Sequence, residues 1–221
     1  METNIHDDGF SMVTGVLSMR EREEFIKELG PVAGAGRRCL LRHPKVAAFA
    51  ESPRLLDLVR TVLCGEPKPV RAIFFDKSPT ANWGVPWHQD LTLAVETKLE
   101  APGFGPWSVK EEIPHVQPPI ELLEQMLTIR LHLDKATESN GGLWVIPGTH
   151  KLGRLSAPEI QRIRSSQVAT LCAAEAGDGL MMRPLLLHAS NRSTNSGHRR
   201  ILHIEYAAFD LPHGLKWHKT G

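Results

Sequence analysis

Tyrosine occurs once and cysteine three times in this 221-residue sequence, and neither a block of like charges nor a long apolar run is present. Cys39, Cys64 and Cys172 are odd in number and widely scattered, so they form neither a disulfide framework nor a CxxC zinc pair. They read as small core residues of a protein kept in a reducing compartment. Lys plus Arg total 26 against 25 Asp plus Glu. The only basic clusters are the local pairs Arg37-Arg38 and Arg199-Arg200, so no nucleic-acid partner is expected. Apolar stretches such as Leu185 to Leu187 are too short to cross a bilayer. Met1 to Phe10, with Glu2, Asp7 and Asp8, does not read as a signal peptide. The expectation is a cytoplasmic protein with no membrane partner.

What is present is enough apolar residue, 41 %, for a sizeable core. The length fits one domain over 1–221, with a helical part at 1–69 and a β core at 70–210. Ser18-Met19-Arg20-Glu21 is a capping box that opens a helix, and Gly30-Pro31 closes it. Ser52-Pro53 opens another, followed by Leu55, Leu56, Val59, Val62 and Leu63 at helical spacing and by Gly65. From Val70 the pattern changes to short strands with turn residues between them: Val70–Phe75, Met126–Leu133, Leu143–Ile146, Val168–Ala173, Leu180–Met182, Leu185–His188 and Ile201–Ala208. Helices followed by many short strands predict a mainly β fold, a jelly roll or cupin-like barrel with flanking helices. The Pro- and Gly-rich segment 93–121 is long for a connection and reads as a cover over a site.

The chemistry begins at Trp87-His88-Gln89-Asp90. On an extended strand alternate side chains share a face, so His88 and Asp90 point the same way. A second histidine from a distant strand completes the two-histidine, one-carboxylate set of non-haem Fe(II) oxygenases. HxD alone is weak, because it recurs by chance. His188 strengthens it: an apolar run leads into it, and Ser190 follows two residues later on the same face.

The order HxD, distal His, Ser two residues on and Arg eleven residues on resembles the phytanoyl-CoA dioxygenase family. The segment Asn140-Gly141-Gly142-Leu143-Trp144-Val145-Ile146-Pro147-Gly148-Thr149-His150 is similar to that family's motif between the two metal-binding stretches. The resemblance runs from about Val70 to Tyr206. It implies a double-stranded β-helix, Fe(II), and oxidative decarboxylation of 2-oxoglutarate to succinate and CO2. Position by position it implies that His88, Asp90 and His188 hold the metal, and that Arg199 clamps the far carboxylate of 2-oxoglutarate beside Ser190. A guanidinium grips a carboxylate with two parallel bonds, which suits that role. Arg200, on the opposite face of the same strand, reads as a surface charge.

Lys77, at the end of the first strand, is a candidate to meet 2-oxoglutarate or the substrate. Arg130 and His132 alternate against an apolar face that allows either the barrel interior or solvent. Trp107 and His115, in the long insertion, are candidates for substrate contact, and His203 is in phase with Arg199. His150 reads as structural. The expected activity is hydroxylation of a small organic molecule with O2, since Asp90 leaves no ligand position for a halide. A cupin-type metal isomerase, or a dioxygenase without 2-oxoglutarate, would need no carboxylate clamp, and Arg199 argues against both. A metal-free barrel binding protein would need no triad.

Overall fold

The computed structural model describes residues 4–32 and 34–218. The chain opens with strand β1 (Phe10–Val13) and helix α1 (Met19–Leu29). Ser18 and Glu21 close the capping box in both directions, with bonds of 3.2 and 2.8 Å. After β2 (Gly36–Arg37) come a 3-10 turn (Leu40–Arg42), α2 (Pro44–Ala50) and α3 (Pro53–Arg60). Helix α2 has no capping side chain, and Pro44 in its first turn is its one local signal.

The remaining strands are β3 (Lys68–Lys77), β4 (Val85–His88), β5 (Leu93–Ala94), β6 (Trp107–Lys110), β7 (Ile113–Val116), β8 (Met126–His132), β9 (Leu143–Val145), β10 (Thr170–Cys172), β11 (Gly179–Met182), β12 (His188–Ser190) and β13 (Arg199–Ala207). Helix α4 (Ile120–Glu124) precedes β8, and α5 (Ala157–Ser166) lies between β9 and β10. A six-stranded sheet runs β1-β11-β8-β13-β3-β2 and a four-stranded sheet runs β10-β9-β12-β4, with every pairing antiparallel. This is the mainly β double-stranded β-helix with N-terminal flanking helices. Helix α5 starts at a second capping box, Ser156 with Glu159, the same local signal that marks α1.

The larger sheet sorts its side chains by strand alternation. Ala72, Phe74, Ile129, Leu131, Leu202, Ile204 and Tyr206 face outward and share one core with Phe25, Leu29, Val46, Ala50, Leu55 and Val59 of the helices. The opposite face carries Arg71, Ile73, Phe75 and Lys77 on β3, Thr128, Arg130 and His132 on β8, and Arg199, Ile201, His203 and Glu205 on β13, all in register. The outer face of the larger sheet is thus apolar, while its inner face carries the polar groups beside a smaller apolar cluster of Leu143, Val145, Cys172, Leu180 and Met182 between the two sheets.

Two segments differ from the sequence reading. Leu185 to Leu187 is a turn, and strand β12 begins only at His188. The three leucines bury into three separate clusters, which a two-faced strand cannot do. The segment 93–121 is not a loose cover. Strands β5, β7 and β6 form a small sheet in that order, and Leu93, Val95, Phe104 and Val116 pack against Leu123, Leu185, Leu211 and Leu215. Its glycines and prolines shape turns between packed strands.

Candidate metal centre

Strands β4 and β12 are hydrogen-bonded neighbours, and their register sets His188 directly opposite His88. Asp90 lies two residues beyond His88, just past the strand end, where its amide donates to the Pro184 carbonyl at 2.9 Å. Gln89 keeps the alternation. It is buried, donates to the carbonyls of Gly153 and Leu185 at 2.8 and 2.7 Å, and accepts from the Leu155 amide at 2.8 Å. With Gln89 so anchored away from the site, its two neighbours turn toward it.

One ligating atom from each of His88, Asp90 and His188 lies within 4.8 Å of the others, the one such group among the described residues. The Asp90 oxygens stand 3.8 Å from His88 Nε2 and 3.7 Å from His188 Nε2. Each ring is held from behind: His88 Nδ1 meets the Pro86 carbonyl and His188 Nδ1 the Leu186 carbonyl, both at 2.8 Å. A carbonyl only accepts, so the proton sits on Nδ1 and the Nε2 lone pair is free for a metal. Burial lowers His188 to about 4, against the opposing pull of Asp90, so its ring is neutral at neutral pH. Burial raises the Asp90 carboxyl, but at the acid pH where it would take up a proton His188, His203 and His88 are positively charged. Together they outweigh burial and hold it well below the usual carboxylate range. Two imidazoles presenting Nε2 and one carboxylate on a shared face fit an octahedral non-haem iron.

A cavity of about 210 Å³ opens beside these residues, walled by Ile73, Phe75, Trp83, Val85, Leu143 and Ser190, with Arg71, Arg130, Arg199 and His203 also on it. Arg199 is 3 % exposed and pairs across the sheet with Lys77. Its Nε has no partner, and burial first, then Arg130, lowers it to about 9. Lys77 is fully buried and donates to Ser190 Oγ at 2.9 Å and to the Asn191 carbonyl at 2.5 Å. Burial, reinforced by Arg199 and Arg130, brings its ammonium down to about 7. Gly141 makes room for it: at φ 77°, a Cβ there would lie 2.9 Å from Lys77 Nζ and 2.5 Å from the Asn191 oxygen.

Of the other residues singled out in the sequence, Arg130 and His203 meet at the cavity, Arg130 Nη1 standing 3.1 Å from His203 Nδ1. His132 faces the barrel interior with neither ring nitrogen partnered, and burial lowers it to about 3. Trp107 and His115 sit in the small sheet, off the cavity wall. Lys98 lies 5.8 Å over the Trp107 ring, and His115 Nδ1 donates to the Ile113 carbonyl at 2.9 Å. His150 lies elsewhere, 3.3 Å from the His6 carbonyl. Arg200 points outward as expected, but it is no free surface charge: it forks onto both oxygens of Asp134 at 2.7 Å.

The sequence reading missed Arg71, Phe75, Trp83 and Glu205. Arg71 and Phe75 follow from counting back by twos from Lys77, and Glu205 from counting forward from Arg199 and His203. Trp83, in the loop before β4, carries no such signal.

A double-stranded β-helix with an open two-histidine, one-carboxylate face defines the class of mononuclear non-haem metal oxygenases. Within that class the chain belongs to the phytanoyl-CoA dioxygenase (PhyH) family, whose profile matches residues 17–201. Among solved structures, the chain resembles the non-haem α-ketoglutarate-dependent carbocyclase SnoK from nogalamycin biosynthesis. That match has TM-score 0.69 and 16 % identity, covering 93 % of this chain and 82 % of that one. It also resembles HygX from Streptomyces hygroscopicus with nickel and 2-oxoglutarate bound, at TM-score 0.65 and 18 % identity over 92 % and 84 % of the two chains. The apoform of EctD from S. alaskensis matches at TM-score 0.68 and 18 % identity over 92 % and 74 %. At these identities the likeness is one of fold. No curated protein matches the chain.

Proposed function

We propose that the chain is an Fe(II)- and 2-oxoglutarate-dependent oxygenase that hydroxylates a small organic molecule. The observation that carries this reading is the meeting of two features on one cavity. One is the converging set of His88, Asp90 and His188, and the other is the buried Arg199 guanidinium, whose Nε lacks a partner. A buried guanidinium without a counter-charge suits a carboxylate brought by a ligand. When bound, iron supplies the O2 chemistry, in which one oxygen atom enters the substrate and the other enters succinate as CO2 leaves.

The protein's own part is positional. The carbonyls of Pro86 and Leu186 hold both imidazoles with Nε2 forward, and Asp90 stays ionised. Arg199 takes the far carboxylate of 2-oxoglutarate, with the Ser190 hydroxyl beside it and Lys77 steadying that hydroxyl. Ile73, Phe75, Val85 and Leu143 keep water from the reacting centre. The same reading has one catalytic domain working in the cytoplasm, with O2 and a small molecule as its partners.

The test is a metabolite screen with iron-loaded protein, following succinate release from 2-oxoglutarate and the mass of each product. Substrate-stimulated succinate release with gain of one oxygen atom supports hydroxylation. Loss of two hydrogens would replace it with desaturation or ring closure, and no succinate at all would overturn the reading.

A further inference from the structure

Charge on the inner face of the barrel does not balance. Arg71 is committed to Glu205, donating from Nε at 2.9 Å and from Nη2 as well. Glu205 also meets His203 Nε2 at 3.1 Å, so that nitrogen carries the ring proton and His203 Nδ1 is left to accept from Arg130 Nη1. The chain of contacts makes His203 a neutral partner. Arg130 therefore meets an uncharged ring and the face of Phe75, 5.8 Å from its guanidinium carbon, with no salt bridge to a carboxylate among the described residues. Arg130 is 7 % exposed, lines the cavity, and its Nε has no partner.

On the function proposed above, from which this inference starts, the iron charge and the 2-oxoglutarate charge cancel, and Asp90 offsets Arg199. Lys77 is a second buried cation, but it is held on Ser190 and Asn191 and does not line the cavity. Among the described residues Arg130 therefore remains as the one uncompensated charge on the cavity wall, where an unpaired ion is costly. We propose that Arg130 anchors a carboxylate carried by the substrate. The substrate is then a small monocarboxylic acid whose apolar or aromatic body lies against Phe75, Trp83, Val85 and Leu143. A planar guanidinium suits a carboxylate, and a cavity of about 210 Å³ that 2-oxoglutarate must share leaves room only for a small acid.

The test uses nickel-loaded protein with 2-oxoglutarate at saturation, titrated calorimetrically with acetate, butyrate, benzoate and phenylacetate, each against its primary amide. At least one acid should bind about 10- to 100-fold more tightly than its amide, the span of one charge-assisted bond. Arg130→Gln should erase that advantage and Arg130→Lys retain part of it, the second variant also showing that the site still folds. In both, 2-oxoglutarate affinity should stay within about threefold, as expected for separate partners. The proposal is overturned if no acid outbinds its amide, if the advantage survives in Arg130→Gln, or if that variant loses 2-oxoglutarate as Arg199→Gln does. Failure of 2-oxoglutarate to bind the unaltered protein would instead overturn the co-substrate assignment. The acid-against-amide comparison would then be made without it and judged by the same criteria.

Discussion

Lys77 and Arg199 face each other across β3 and β13, two buried cations on the inner face of the barrel. Neither has a salt-bridge partner among the described residues, and Lys77 relies on a hydroxyl and a carbonyl. Such a pair is poised for an anion and strained without one.

That strain makes the ligand-free fold sensitive to pH. Lys77 titrates near 7 in the folded protein and ordinarily near 10.5. Between those values the unfolded chain binds more protons, so stability rises with pH from about 7 upward, while below 7 the full penalty stands. Urea unfolding without ligand should therefore show stability climbing from pH 7 to 9. Lys77→Met should flatten the slope, and an unchanged slope would assign it to other groups.

The adjacent arginines should separate binding from folding. Arg199→Ala should weaken 2-oxoglutarate by on the order of a hundredfold, with iron still bound, because charge-assisted bonds contribute roughly 1.5–3 kcal/mol each. Arg200→Ala should leave that affinity alone but lower stability by about 2 kcal/mol, since Asp134 loses its fork. A 2-oxoglutarate titration and a denaturant curve for each variant decide the matter. Reversed effects would mean that the strand phase is off by one residue.

Removing a ligand should remove the metal but not the fold. His188→Ala is expected to bind no stoichiometric iron by elemental analysis, while keeping the far-ultraviolet spectrum of the parent. Full iron occupancy in this variant would place the metal elsewhere.

Gly141→Ala tests the packing around Lys77. A Cβ at positive φ, 2.9 Å from the ammonium and 2.5 Å from the Asn191 carbonyl, must push one of them away. Overpacking of this kind typically costs about 1–3 kcal/mol. The melting temperature should drop and 2-oxoglutarate binding weaken together, whereas a neutral substitution would mean that the turn has slack.

Local signals carried most of the legible fold. Ser18 with Glu21, and Ser52 before Pro53, announce helix starts within four residues, and the alternation of β8 is plain in Met126 to Leu133. HxD and the distal histidine were legible because residue type and order are enough to suggest ligands. Leu185 to Leu187 misled because three leucines look like a buried strand, and only tertiary packing reveals that they serve three clusters. The Arg71–Glu205 pair was hidden for a related reason: what neutralises a buried charge depends on sheet register, which sequence alone does not state.

His88 and His188 come from distant parts of the chain, and their opposition exists only once β4 and β12 have paired. On the proposed assignment the metal site is therefore complete only after this long-range pairing has closed. Metal held there would follow the pairing, and its binding energy would favour the state in which β4 and β12 are joined. Chelation should accordingly loosen amide protons along Val85–His88 and His188–Ser190, and leave those of the outer helices as slow as before.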